Sequence, residues 1–162
     1  MLLGEYSHSV DAKGRTVLPT ELREGLGDSF VVTRGLDGCA CIYSMEGWET
    51  FIKNIMSLKA NKKENRALQR AFLAKSKKLT ADKQGRIVLP QNILELAGIE
   101  DRLLFVGAFD KVEIWNEERY KAQSLPEKSV EELMDEASKL RSPEDILEDM
   151  EDFGVPMGFD ND

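Results

Sequence analysis

Residues that carry chemistry are scarce in this chain. Its 162 residues include one histidine, His8, and two cysteines, Cys39 and Cys41. A single imidazole leaves no histidine-based triad, and the carboxylates form no recognisable general acid–base pair, so no catalytic residue is assigned. The cysteines are spaced C-x-C on an expected strand and have no second pair, so they fall short of a structural zinc set. Neighbouring positions on one strand face also disfavour a disulfide. They read as packed, reduced thiols of a cytosolic protein. No glycine-rich phosphate loop is present; Gly35 and Gly38 fit a short turn between strands. No metal, cofactor or small-molecule substrate is therefore expected. The chain has no apolar run of about eighteen residues, so no membrane span is expected. Met1-Leu2-Leu3-Gly4 runs into a strand without the basic and then apolar pattern of a secretory signal.

Charge is present but unevenly placed. The formal net charge is −8, yet residues 1–122 hold 19 basic and 17 acidic side chains, whereas residues 123–162 hold 3 and 13. An acidic tail thus hangs on a slightly basic body, and the average charge says little about what the body binds. The basic residues cluster as well: Lys59, Lys62, Lys63, Arg66, Arg70, Lys75, Lys77 and Lys78 stand with Glu64 as the only acid of that segment. Ala67, Leu68, Ala71, Phe72 and Leu73 recur there at helical spacing, which predicts an amphipathic connecting helix. Its basic face is either merely solvated or a track for nucleic-acid phosphates.

What the chain does have is a repeat. Residues 11–19, Asp-Ala-Lys-Gly-Arg-Thr-Val-Leu-Pro, return at 82–90 as Asp-Lys-Gln-Gly-Arg-Ile-Val-Leu-Pro. After small gaps Ile42-Tyr43 faces Ile114-Trp115, and Trp48 faces Tyr120. Each copy reads strand, turn, strand, short helix, strand, turn, strand, helix. Roughly fifty residues are too few to bury a good core alone, so the two copies are expected to pack together about a pseudo-two-fold axis. The expected organisation is a first repeat at 1–56, a basic connecting helix at 57–78 and a second repeat at 79–122. A C-terminal helix follows at 123–141, with Glu131-Glu132-Leu133-Met134 in its amphipathic stretch. An acidic, unstructured tail is expected over 142–162.

The repeated segment has the chemistry of a hairpin. Asp11 and Asp82 can bond the backbone two residues on, and Gly14 and Gly85 tolerate positive φ. Pro19 and Pro90 suit the first turn of a helix, and Gly27 and Gly98 the position just past its end. The Asp–Arg spacing of four in both copies admits two readings. One is a local ion pair that fixes the turn. The other has Asp11 and Asp82 orienting Arg15 and Arg86 outward, so that each planar fork grips a phosphate or a guanine edge. Lys13 and Lys83 stand at the same turns as candidate phosphate contacts. Two such hairpins brought together would make a basic ribbon able to enter a DNA groove.

The tandem D-x-x-G-R-x-V-L-P pattern resembles the MraZ family, within the wider AbrB-like group of bacterial transcription factors. The resemblance covers about residues 1–140, with Trp48 and Glu113-Ile114-Trp115 as further landmarks. It implies an α+β, mainly β fold: an AbrB-like swapped-hairpin barrel built from two half-repeats in one chain, with flanking helices. It further implies a sequence-specific, DNA-binding transcriptional regulator, acting in the cytoplasm at the nucleoid. Such a regulator would repress its own operon in the division and cell-wall gene cluster. The partner would be double-stranded DNA carrying direct repeats upstream of that cluster, bound by a homo-oligomeric ring. The DNA-contact role falls on Asp11, Arg15, Asp82 and Arg86, which match the motif outright; Lys13 and Lys83 join them on charge and position. Ala81 departs from the pattern, standing where the first copy has the larger Val10. A second reading rests on the acidic, partly apolar terminus: an AbrB-fold antitoxin-like protein whose tail binds a protein partner.

Overall fold

The computed structural model describes residues 1–140 and 143–152, which fall into two units, Met1–Gln123 and the described part of 124–162. The first unit contains both copies of the repeat. Copy one supplies β1 (Glu5–Ser9), β2 (Arg15–Val17), α1 (Thr20–Leu26), β3 (Ser29–Arg34), β4 (Ala40–Ser44) and α2 (Met45–Met56). After α3 (Lys63–Leu73), copy two supplies β5 (Lys77–Thr80), β6 (Arg86–Val88), α4 (Gln91–Ala97), β7 (Arg102–Gly107), β8 (Val112–Trp115) and α5 (Glu117–Gln123). The second unit holds α6 (Glu127–Leu140) and α7 (Pro143–Asp152).

Strand pairing is exchanged between the copies. Six strands form one antiparallel sheet in the order β1-β7-β8-β4-β3-β5, and β2 pairs with β6 alone. Thus β1 of copy one lies on β7 of copy two, and β5 of copy two lies on β3 of copy one. The registers obey a two-fold relation: Ser9 opposite Arg102 has its counterpart in Thr80 opposite Ser29. Two strand pairs map onto themselves. In the β2–β6 ribbon, Arg15 faces Val88, Thr16 faces Ile87 and Val17 faces Arg86. In the sheet, Ala40 faces Ile114, Cys41 faces Glu113 and Ile42 faces Val112. The pseudo-dyad therefore passes through the Thr16–Ile87 and Cys41–Glu113 pairs.

Period-two alternation assigns each strand residue to a face. Phe30, Val32, Ala40, Ile42, Leu103, Phe105, Val112 and Ile114 point into the larger core, closed by Leu22 and Leu26 of α1, Ile93, Leu94 and Ala97 of α4, and Ile87 of the ribbon. The intervening Cys41, Tyr43 and Trp115 point to the other face, under Trp48 and Phe51 of α2 and Tyr120 of α5. Tyr43 stacks on Phe51 with ring centroids 4.9 Å apart, and Phe51 meets Phe72 of α3 edge-on at 5.3 Å. Strands covered on both sides read as continuous apolar runs, as Phe30-Val31-Val32 does.

Capping uses the expected residues, with the prolines one position earlier than the first helical turn. Pro19 and Pro90 are the N-caps of α1 and α4, and Gly27 and Gly98 end those helices. Ser44 starts α2, its hydroxyl accepting a hydrogen bond from Gly47 N at 3.0 Å.

Several expectations change. The fold is α+β, but helical residues outnumber those in strands, because the strands are short and the connecting and terminal segments are helical. The basic segment 57–78 is not one helix. Only Lys63–Leu73 is helical, and Lys77 and Lys78 belong to β5, exposed at the sheet edge. Lysines there discourage pairing with another chain. Within α3, Gln69 and Phe72 face inward, with Gln69 Nε2 donating to Ile55 O and Leu58 O, while Leu68 and Leu73 remain exposed. An unstructured tail was expected from residue 142, yet Pro143–Asp152 forms α7. Pro143 suits a first helical position, and Glu144 and Asp145 favour the first turn through the helix dipole. Residues 153–162 of that tail lie outside the described residues. Among the described residues no helix is long and apolar enough to cross a membrane.

Candidate nucleic-acid interface

The two repeated turns fold alike because the same atoms perform the same tasks in each. Asp11 Oδ1 accepts from the backbone N of Lys13 at 3.0 Å and of Arg15 at 2.9 Å. Asp82 Oδ1 accepts from Gln84 N at 3.0 Å and Arg86 N at 2.9 Å. In both turns the glycine N–H donates to the aspartate carbonyl at 2.9 Å. The other carboxylate oxygen grips the arginine: Arg15 Nε lies 2.6 Å from Asp11 Oδ2, and Arg86 Nε 2.5 Å from Asp82 Oδ2. One aspartate therefore sets both the turn and the direction of the guanidinium.

Electrostatics agree with that geometry. Asp11 is held below the usual carboxylate range first by the Arg15 backbone N–H and then by the Arg15 side chain. For Asp82 the Arg86 side chain comes first and its backbone N–H second. Each ion pair engages only the Nε edge of its guanidinium. The arginine side chains stay 61 % and 66 % exposed, so their terminal N–H groups face solvent.

Each turn is braced by the other copy. Arg23 of α1 donates from Nη1 to Lys83 O at 3.3 Å, and Gln91 of α4 donates from Nε2 to Ala12 O at 3.2 Å. The backbone ties cross over as well: Leu18 N donates to Gly85 O and Leu89 N to Gly14 O, each at 2.8 Å. These bonds extend the β2–β6 pairing and bring both Asp–Arg units onto one ribbon. Arg15 and Arg86 share its outer face, whereas Thr16 and Ile87 are buried beneath. Residues diagonally placed across two antiparallel strands lie about 7–8 Å apart. Lys13 and Lys83 are both exposed at the turns. Val10 is buried before the first turn, and the smaller Ala81 is only partly buried before the second.

All six of these polar residues stand out in the sequence; Arg23 and Gln91, in the short helices that follow each repeated motif, do not. The signal available was position: Arg23 stands four residues after Pro19 and Gln91 directly after Pro90, close to where a paired hairpin must pass. Val17 and Val88 do not stand out either, since the motif marks them only as repeated apolar residues. His8 lies half-buried on β1, its ring centroid 6.0 Å from that of Phe105.

The cysteines gain a neighbour that their spacing does not reveal. One donor atom each from Cys39, Cys41 and Glu113 lie within 4.8 Å of one another. Cys39 Sγ donates to Leu36 O at 3.0 Å and approaches Glu113 Oε2 at 3.7 Å, while Trp115 Nε1 donates to Glu113 Oε1 at 3.3 Å. The hydrogen bond with Cys39, and then burial, push the Cys41 thiol well up. With Cys39 Sγ bonded to a carbonyl and facing a carboxylate, the group reads as packing at the pseudo-dyad.

Comparison with known proteins agrees with the tandem organisation. The family model for MraZ protein, whose description carries an antitoxin-like label, matches residues 1–71 and again residues 72–140. A Transcriptional regulator MraZ of Lachnoclostridium phytofermentans is 43% identical over 139 residues, covering 86% of this chain and 96% of its own. One from Acetivibrio thermocellus is 44% identical over 124 residues, covering 76% and 87%. Another, from Ligilactobacillus salivarius, is 40% identical over 155 residues, covering 96% and 100%.

Proposed function

The chain belongs to the MraZ family, and from that premise we propose that it is a DNA-binding transcriptional regulator whose β2–β6 ribbon enters the major groove. The observation that carries this reading is the pair of arginines on one exposed ribbon face, each held at Nε by its own aspartate with its outer N–H groups free for a ligand. A major groove admits a two-stranded ribbon, and arginine bonds bidentately to guanine O6 and N7. Asp11 and Asp82 fix the direction of the forks, and Lys13 and Lys83 meet phosphates beside the turns. The exchanged β1–β7 and β3–β5 pairings support a swapped-hairpin barrel of the AbrB-like kind, with both halves supplied by one chain.

One ribbon offers few base contacts, so useful specificity calls for several copies on repeated sites. The reading is therefore of a non-enzymatic, cytoplasmic protein at the nucleoid. It assembles as a homo-oligomeric ring on direct repeats upstream of its own operon and represses it. A second reading has its own observation. Acidic α7, within the 142–162 tail, leaves Leu147 exposed, which suits a protein partner bound by that tail, as in an antitoxin.

Fluorescence anisotropy with DNA from upstream of the chain's own gene, beside a scrambled duplex, tests the primary reading. A bidentate arginine–guanine contact is worth about 1–3 kcal/mol, so Arg15→Ala should weaken specific binding about tenfold or more. Unchanged affinity in Arg15→Ala and Arg86→Ala would refute it. DNA binding that survives in both variants, together with a protein partner that is lost on deleting 142–162, would favour the second reading.

A further inference from the structure

Two valines stand in the middle of the candidate reading face, and burial does not account for them. Val17 and Val88 point to the same side of the ribbon as Arg15 and Arg86, and they are 39% and 54% exposed. Their buried neighbours Thr16 and Ile87 already supply the ribbon's contact with the core. The register makes the outer face a square, with Arg15 opposite Val88 and Val17 opposite Arg86. Arginines occupy one diagonal and valines the other.

This square has the dimensions of base-pair steps. Arg15 and Val17 are two residues apart on one strand, as are Arg86 and Val88 on the other. Two antiparallel residues advance about 6.8 Å, and two nucleotides along one strand of B-DNA also advance about 6.8 Å. A fork that reaches a guanine thus places the valine of its own strand about two steps further along the groove. The feature of the major groove that an apolar side chain can distinguish is the thymine 5-methyl group.

We infer that Val17 and Val88 are specificity-determining contacts for thymine methyl groups, each set about two base steps from the guanine addressed by the arginine on the same strand. This rests on the ribbon being the DNA-reading element. The pseudo-dyad through Thr16–Ile87 reverses the order on the second strand, so the preferred site carries guanine and thymine in opposite order at its two ends.

The test compares the same upstream duplex made with thymine and with deoxyuridine, which removes the methyl groups and leaves the hydrogen-bonding edge intact. Wild-type protein and the double variant Val17→Ala/Val88→Ala are titrated against both by anisotropy. Each methyl contact is worth about fourfold in affinity. Wild type should therefore prefer the thymine duplex by about fourfold to sixteenfold for each engaged ribbon, and the variant, whose alanines reach less far, should show a clearly smaller preference. A wild-type ratio near one, with tight and arginine-dependent binding retained, overturns this inference and leaves the ribbon reading standing. A variant that keeps the wild-type ratio, or that changes the mass of the assembly in light scattering without changing the ratio, also overturns it. Loss of all sequence-dependent binding by wild type refutes the ribbon reading itself. The wild-type comparison needs no substitution, so it holds even if the variant folds poorly.

Discussion

Replacing Gly14 by alanine should cost more stability than replacing Gly27, although the two glycines share nearly the same φ. Gly14 sits at +85° and Gly27 at +83°. Positive φ of this kind costs an alanine about 1–3 kcal/mol. A Cβ at Gly27 meets nothing within 4 Å, so that substitution measures backbone strain alone. At Gly14 the Cβ would fall 2.2 Å from the Leu89 carbonyl oxygen. The obstacle is backbone, so it cannot rotate away as a side chain would. Relief means moving the Leu89 strand end, which breaks the 2.8 Å bond from Leu89 N to Gly14 O, worth about 0.5–1.5 kcal/mol net. The excess for Gly14→Ala over Gly27→Ala should then be about 1–3 kcal/mol once the off-register strand end is included. At about 2–4 °C per kcal/mol for a chain of this size, Gly14→Ala should melt roughly 2–12 °C below Gly27→Ala by circular dichroism. Gly27, at ψ −172°, lies in an essentially glycine-only region, which narrows the gap. A Gly14→Ala chain that melts with the wild type would refute the close approach of the first turn to the second copy, and with it the exchanged ribbon.

Further tests address the turns and the core. Asp11 and Asp82 titrate below the ordinary carboxylate value of 3.8, so their turn contacts stabilise the fold above that pH and are lost as pH falls through the depressed folded values. Carboxyl 13C NMR should show both midpoints below 3.8. Arg86→Ala and Arg15→Ala should each move the neighbouring aspartate back toward 3.8, because both side-chain bonds lower its pKa. The Tyr120 hydroxyl donates to Glu5, and chiefly for that reason its pKa is raised to about 12. The contribution is therefore full below pH 10 and lost as pH rises through about 12. Tyr120→Phe should remove an absorbance step near that pH, and an unaltered titration curve would count against the bond. Ile93 is fully buried in α4, so Ile93→Ala should destabilise by about 2–5 kcal/mol in a urea titration.

Much of the fold was legible because the duplication repeats the residues that control the backbone. Asp, Gly and Pro at matching positions dictate a turn and a helix start whatever surrounds them, and both occur as expected at 11–20 and 82–91. The pairing of strands was not legible in the same way. Nothing local in Tyr6-Ser7-His8 says that its partner is Leu103-Leu104-Phe105 rather than β2; that choice is made by where two half-cores can close on each other. Lys77 and Lys78 misled for a related reason. Their charge continues the basic run of α3, but Leu79 between them and Thr80 must reach the core, and a strand places it there. Alternation over four residues is too short a signal to outweigh a neighbouring helix.

The site shows where duplication stops. Asp11, Gly14, Arg15 and Val17 return unchanged as Asp82, Gly85, Arg86 and Val88, because one turn geometry requires all of the first three. The lysines do not follow this rule. By the same offset Lys13 corresponds to Gln84, and Lys83 corresponds to Ala12. Both lysines are exposed near a turn, yet they occupy successive, non-equivalent positions of the repeated loop. The braces differ too, since Arg23 supports the second turn and Gln91 the first. The frame of the ribbon is therefore two-fold while its outer contacts are not. In the proposed reading this asymmetry gives one chain two distinguishable ends on DNA, and so a direction along it. A strictly symmetric dimer of half-repeats would have none, whereas copies that all point the same way are what direct repeats require.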